Sequence, residues 1–403
     1  MKKMFYYIKM KNTTPLHIGN GSSTFTDLDV IKDKEGKFFI PGTSLTGCFY
    51  HFLDDEDKKI INPVDHKKMP KQSSFFISDA VVEEKEITYE TRDGIALDEN
   101  KITKDKNKYD YEIVPAGYHF HFRIEVLNRD EKNDYDLIVN NCLAAINNQD
   151  IRLGYKTTRG LGNFQIEKVG LKVFDSTNYQ NYFEFDPYQE ENYDEYKYTP
   201  LISRYLNIHV YLKQKGGLSI RTYQTKKGEA DFVHIHSAKK PVIPGTSWNG
   251  LFRKQFKYYL DLYKAHNEKC CLNMSEVFGA TIDQKEKIKS NIYFEESIIE
   301  NNEDITMVRN RINRFDNSTM LRNLYKETVC YNGSTILNIS LNIGNINDYN
   351  KIKLIEEILL LIIKDLHCGF IALGGETAIG RGLFEVEKVI FGNKCIYMEE
   401  DIC

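Results

Sequence analysis

Two glycine-rich loops carry the residues best suited to holding an anion. One lies in LGYKTTRGLGNFQIEKV (153–169) and the other in LGGETAIGRGLFEVEKV (373–389). Gly160, Gly162, Gly380 and Gly382 let backbone amides approach a phosphate with no Cβ in the way. Arg159 and Arg381 add positive charge at neighbouring positions. The same glycines would equally serve a tight turn that needs their dihedrals, and residue types alone leave both readings open. Two other segments, PGTSLTG (41–47) and PGTSWNG (244–250), place Thr43, Ser44, Thr246 and Ser247 at expected helix starts. Hydroxyls and amides there could hold phosphate or simply cap the helix. A short way before each PGTS stands an aspartate, Asp27 in FTDLDVIKD and Asp231 in EADFVHI, at nearly the same separation. A carboxylate so placed can take a proton or hold a divalent ion, although a solvated loop acid is the commoner fate. Asp29 and Asp33 rival Asp27; Glu229, His234 and His236 flank Asp231.

These residues recur because the elements that position them recur. The two glycine stretches align without a gap, sharing a leucine, a threonine, three glycines, a phenylalanine and a closing EKV. With the two PGTS segments they form a pair of anchors in the same order, the mark of a duplication. After each PGTS comes a helical run, SLTGCFYHFLDD or SWNGLFRKQFKYYLDLYK, and then a strand with an acidic end, SFFISDAVV or NIYFEESII. A polar insertion follows (87–110; 301–325), then a Gly turn into a strand, a helix (135–146; 349–366), the glycine loop and a last strand. That order predicts two ferredoxin-like α+β domains, at 1–173 and 201–403. The acidic, Tyr- and Asn-rich stretch 174–200 reads as the linker between them.

A chain of 403 residues suffices for two such cores. The formal charge of −4 excludes a surface that is basic throughout but permits one basic groove. Eight scattered cysteines with no CxxC pair exclude a secreted disulfide framework. The N-terminus reads as a strand, and the apolar run at 354–363 is too short to span a bilayer. A cytoplasmic protein with no membrane association is expected.

The ordered set of TPLHIGNG, DLDVIKD, FFIPGTSLTG, SFFISDAVV, VPAGYHFHF and GYKTTRGLG resembles the repeat-associated (RAMP) backbone subunits of type III CRISPR–Cas complexes. The second half answers with KGGLSIR, EADFVHI, PVIPGTSWNG, RNRINRFDNS and GGETAIGRG. Two fused copies are similar to the double backbone subunits of type III-D-like systems. The resemblance implies that each domain holds guide RNA against its sheet. It implies an insertion that works as a thumb, wedging between bases, and an acidic loop that cuts paired target RNA. Asp27 and Asp231 then take the catalytic positions, with a divalent metal, Mg2+ above all, as cofactor. RNA contacts are expected from His17, Thr43, Ser44, Thr157, Arg159, Gly160, Gly162, Thr246, Ser247, Arg253, Lys254, Arg309, Arg311, Arg314, Thr377, Gly380, Arg381 and Gly382. Wedge residues are expected at Ile95 and Leu97 and at Met320 and Leu321. Copy one carries Thr46, Cys48 and Tyr50 where the family places basic side chains. The implied partners are guide CRISPR RNA, complementary target RNA and the other subunits of the complex. His17 could equally be a structural histidine, and the insertion with Lys101, Lys104, Lys106 and Lys108 a solvated hairpin. His266, Cys270 and Cys271 lack a full zinc ligand set, so no bound zinc is expected. A non-cleaving scaffold and a metal-independent nuclease acting on precursor guide RNA are the two competing activities.

Overall fold

Alternating apolar residues make the opening segment Lys2–Asn12 a strand: Met4, Tyr6, Ile8 and Met10 all enter one core. The computed structural model describes residues 2–21, 24–62, 72–97, 103–128, 130, 132–223, 230–267, 270–280, 288–310, 312–320, 323–346 and 348–397. They divide into two compact units. The first comprises 1–94, 109–157 and 161–203, and the second 95–108, 158–160 and 204–403.

In the first unit the opening strand leads to a helix, Gly42–Phe52, and then to the short strands Phe75–Ile77 and Ala80–Val82. The strand His119–Asn128, the helix Tyr135–Asn147 and the strand Phe164–Phe174 complete it. The opening strand lies between His119–Asn128 and Phe164–Phe174, with Ala80–Val82 and then Phe39–Ile40 beyond His119–Asn128, and every pairing is antiparallel. The second unit repeats this with Tyr205–Lys215, the helix Gly245–His266, Ile292–Phe294 and Ser297–Glu300, Ser334–Asn342, the helix Tyr349–His367 and Leu383–Phe391. Its central strand, Tyr205–Lys215, again lies between two others, Ser334–Asn342 and Leu383–Phe391. This is a ferredoxin-like α+β sheet, present twice.

The repetition reaches single hydrogen bonds. A bulge interrupts the pairing at Lys9/Met10 and again at Tyr211/Leu212. The Ile166 amide donates to Asn147 Oδ1 at 2.7 Å, and the Val386 amide to His367 Nδ1 at 3.1 Å. On the helices, apolar side chains at three- and four-residue spacing form one buried stripe. Trp248, Phe252, Phe256 and Leu260 line the Gly245–His266 helix, and Ile355, Ile358, Leu359, Ile362, Ile363 and Leu366 its neighbour. Each such side chain contributes about 1.5–3 kcal/mol by leaving water.

Both insertions form hairpins. Glu90–Leu97 pairs with Thr103–Ile113, and Glu303–Arg309 with Tyr325–Tyr331. The stretch read as a linker behaves differently: it belongs to the first unit as a strap. Tyr182 and Phe185 pack on Phe5 and Phe174, Tyr193 on Tyr7, and Asp194–Glu195 pairs with Gly170–Leu171. Lys168 binds Glu190, and Asn140 holds both the amide and the carbonyl of Thr199. Its tyrosines and phenylalanines are the reason. Each aromatic ring buries roughly 150–250 Å² of surface, enough to dock a segment whose aliphatics are few.

Candidate nucleic-acid interface

Each glycine turn is closed by the same bonds. The Leu153 amide donates to the Gly162 carbonyl at 2.9 Å, and the Leu373 amide to that of Gly382 at 2.9 Å. The Gly162 and Gly382 amides in turn reach the carbonyls of Pro15 and Gly217 at 2.9 and 2.8 Å. Both glycines have left-handed dihedrals (φ 84° and 76°), and a Cβ on either would collide with the carbonyl oxygen of Leu153 or Leu373. Tight closure therefore accounts for these two. Gly380 differs: its φ is 82°, it is exposed, and nothing lies where its Cβ would be. Thr157 and Thr377 begin one-turn 3-10 segments, half-buried. Arg152 donates to the Thr157 carbonyl at 3.2 Å and so braces the first turn. Arg159 is exposed on that turn.

Arg381, expected on the RNA, is turned inward and only 3% exposed. It donates to Glu327 at 2.7 and 3.2 Å and pairs with Glu376. Arg221 joins the same two carboxylates at 2.8 and 2.5 Å, and Arg309 also lies against Glu327. Burial opposes ionisation of Glu327, but the Arg381 hydrogen bond and the charges of Arg381, Arg309 and Arg221 hold its carboxyl below the usual range. Three guanidiniums facing two carboxylates leave one positive charge in excess at the base of the second hairpin. Glu327, Arg221 and Glu376 went unnoticed in the sequence because no local spacing unites them.

At the matching place in the first unit the chemistry is aromatic. Lys156 Nζ lies 3.5 Å from the Tyr111 ring centroid, 4.8 Å from Tyr109 and 5.4 Å from Tyr155. His17 is 3% exposed, its Nδ1 2.6 Å from the Glu112 carbonyl and its ring edge-on to Tyr111 and Tyr155. Burial is the largest influence on its imidazole and lowers its pKa. His17 is thus a structural histidine, enclosed and away from solvent. His234 is also enclosed. It accepts from the Ile220 amide, contacts the Val242 carbonyl at 2.9 Å, and is pushed down to about 4, chiefly by burial.

Asp27 and Asp231 occupy equivalent places. Asp27 Oδ2 accepts the Asp110 amide at 2.9 Å, and Asp110 Oδ1 accepts the Asp27 amide at 2.7 Å. Asp231 Oδ2 accepts the Lys326 amide at 2.7 Å, while the Asp231 amide donates to the Lys326 carbonyl at 2.8 Å. Asp110 and Lys326 both lie on the returning strand of a hairpin. The residue after each, Tyr111 or Glu327, touches the glycine turn through Lys156 or Arg381. Each aspartate is therefore tied, one residue removed, to the strand that packs on its glycine turn. Asp29, the rival, is different. Burial would raise its pKa, but the Thr24, Phe25 and Thr26 amides and the Thr26 hydroxyl hold it down at about 2 as the centre of a loop.

A divalent ion binds through oxygen and draws much of its shell from water and substrate phosphate. In the first unit Asp27 Oδ1 and Asp110 Oδ2 have no hydrogen bond among the described residues, so two carboxylates fit such a site. In the second, Lys326 replaces Asp110, and among the described residues Asp231 has no second carboxylate in Asp110's place. Among the described residues no three His, Cys, Asp or Glu gather as a metal site, His266, Cys270 and Cys271 included.

Neither PGTS segment uses its hydroxyls as caps. Pro41 and Pro244 are the N-cap residues, and the first helical amide, Gly42, donates to Asp79 at 2.7 Å. A carboxylate thus already meets the first of the amides at that helix start. Thr43 is exposed; Ser44, Thr246 and Ser247 are half-buried. Arg253 is half-buried and Lys254 exposed. On the second hairpin Arg314 is exposed, and Phe315 beside it is 100% exposed. Val308, Ile312, Met320 and Leu324 are exposed too, so the apolar surface of this hairpin reaches beyond the expected Met320 and Leu321. Ile95 is exposed on the first hairpin. Arg311, Leu321, Lys101 and Glu229 lie outside the described residues, as do the side chains of Leu97, Lys104 and Lys106. Among the described residues no helix is long and apolar enough to cross a membrane.

No curated protein matches the chain. The family described as the RAMP superfamily matches twice, over residues 9–165 and 226–385, which is most of the sequence and one match for each ferredoxin-like unit. With its doubled glycine turns, PGTS helices and hairpins, the chain belongs to the RAMP superfamily, whose members are CRISPR-associated and bind RNA.

Proposed function

We propose that the chain is a guide-RNA-binding backbone subunit of a type III CRISPR effector complex and that it cleaves complementary target RNA at regularly spaced positions, one for each domain. The observation that carries this reading is the doubled placement of Asp27 and Asp231. Each is fastened by an amide of a hairpin's returning strand, next to the residue that packs on the glycine turn. Guide phosphates are held by exposed cations at Arg159, Lys254 and Arg314, with the exposed residues Thr43 and Gly380 as further contacts. Phe315 and Ile312 on one hairpin, and Ile95 on the other, enter between base steps, where apolar side chains unstack neighbouring bases.

In the cleavage step the free carboxylate oxygen of Asp27 or Asp231 takes the proton of the target 2′-hydroxyl. The deprotonated 2′-oxygen attacks the adjacent phosphorus in line and displaces the 5′-oxygen, which takes a proton from water, giving a 2′,3′-cyclic phosphate and a freed 5′-hydroxyl. Such a base contributes about 10²–10⁴-fold in rate. In the first domain Asp110, beside Asp27, would hold Mg2+, which when bound would stabilise charge on the phosphate and leave the free oxygen of Asp27 for the proton.

In the assembled complex, the double variant Asp27→Ala, Asp231→Ala should lower target cutting by at least about 10²-fold. A deoxy sugar at each cut position should abolish it. Unchanged cutting by the double variant refutes the reading. The competing function, a non-cleaving scaffold, draws on the same hydrogen bonds: an acid that accepts a backbone amide is also what a structural turn uses. Full assembly on guide RNA with an intact target would support it.

A further inference from the structure

We propose that Glu327 is a positioning residue for the second domain, setting Asp231 against its substrate without touching it. This rests on the cleavage reading above and deepens it. Glu327 is 1% exposed, the most deeply buried acid of its unit among the described residues. Its two oxygens gather three arginines from three separate segments: Arg221 from the strand Arg221–Tyr223, Arg309 from the outgoing strand of the hairpin, and Arg381 from the glycine turn.

Two of those segments lead directly to Asp231. The strand carrying Arg221 pairs with Phe232–His234, which begins at the residue after Asp231. Arg309 is paired with Tyr325, so its contact fixes the hairpin at its base. Glu327 itself follows Lys326, whose amide and carbonyl hold Asp231 at 2.7 and 2.8 Å. One buried carboxylate therefore fixes the register of the returning strand, the splay of the hairpin and the approach of the glycine turn. Glu376 pairs with Arg221 and Arg381 and accepts from the Tyr325 hydroxyl at 3.4 Å, but among the described residues it makes no ion pair with Arg309, so it cannot replace Glu327 there. With Glu327 neutral, three guanidiniums would face a single carboxylate, and their repulsion would part the segments that Asp231 depends on. The first domain has Tyr111 at this place and no such dependence.

The test is single-turnover cleavage by the assembled complex, with product ends mapped, alongside the affinity for uncleaved target. Asp231→Ala first assigns one cut to the second domain. Glu327→Gln should then slow that cut by about 10²-fold, the loss typical of a displaced reacting group, with the other cut within about twofold and target affinity unchanged. Arg309→Gln removes one arm while Arg221 and Arg381 still satisfy the carboxylate, so it reports even where Glu327→Gln does not fold. It should slow the same cut about tenfold and leave target affinity and melting temperature in place. If Asp231→Ala removes a cut that Arg309→Gln leaves within twofold, the positioning role is overturned. It is overturned equally if Glu327→Gln or Arg309→Gln slows both cuts alike or weakens target binding in proportion, which is what a merely structural role predicts. If Asp231→Ala removes no cut, the cleavage reading fails and this inference falls with it.

Discussion

The bases of the two hairpins share a backbone and oppose each other in chemistry. Lys156 and Glu376 both take left-handed dihedrals in their turns (φ 53° and 58°), yet one is a cation over tyrosine rings and the other an anion among arginines. Leu161 and Arg381 both precede the closing glycine; Tyr111 and Glu327 both follow the residue that holds the aspartate. The side chains differ as sets. A lone arginine at Leu161 would be a buried charge without a partner, and a lone leucine at Arg381 would take from Glu327 the arginine that meets both its oxygens through two nitrogens. Duplicated domains can therefore keep their turns and exchange their polar contents, provided that the contents are exchanged together.

Breaking one member of a set gives the largest expected effect. Arg381→Leu installs the first domain's residue in the second without the accompanying tyrosines. It should destabilise the second unit by about 3–5 kcal/mol, the usual loss when one partner of a buried ion pair is removed. Urea titration, with each unit followed separately, measures it. A loss below about 1 kcal/mol would show that the cluster tolerates mixing.

Acid offers a second way to sharpen the contrast, because His234 of the second unit takes the place that Val30 fills in the first. Below about pH 6.5 the unfolded chain binds a proton that the buried imidazole refuses until about pH 4. Stability should therefore fall as the pH drops from about 6.5 to about 4, by about 3 kcal/mol over the full range. His234→Gln should flatten that stretch of the profile in equilibrium denaturation. A slope that survives the substitution belongs to another group.

The smallest effect is expected where the set is held by aromatic rings. Lys156→Ala should cost about 0.5–2 kcal/mol, the range for a cation over rings, and the loss should change little with added salt. Thermal melts at low and high ionic strength would check this. A strongly salt-dependent loss would mean that Lys156 works through an ion pair instead.

What was legible in the sequence is what the duplication preserved. The glycines at 162 and 382, the paired PGTS helices, the hairpins and the ferredoxin-like order all follow from local pattern, since turns and helix starts are set by neighbouring residues. Side-chain partnerships were not legible, because they join distant residues. Arg381 meets Glu327 across 54 positions, so its place beside a glycine read as a phosphate contact. His17 meets the Glu112 carbonyl across 95, and nothing nearby marks it as buried. The strap at 174–200 was hidden for another reason. Acidic and polar residues suggested an exposed linker, while the tyrosines that dock it carry a polar tip and a large apolar ring.

The most direct test separates the two aspartates. Guide-loaded complex would be given end-labelled target, and the products of Asp27→Ala and Asp231→Ala mapped to the nucleotide. Two cuts in the unaltered complex, with each substitution removing one and sparing the other, is the predicted result. Both cuts persisting in both variants, or both vanishing together in either, would contradict the idea of one cleaving aspartate in each copy.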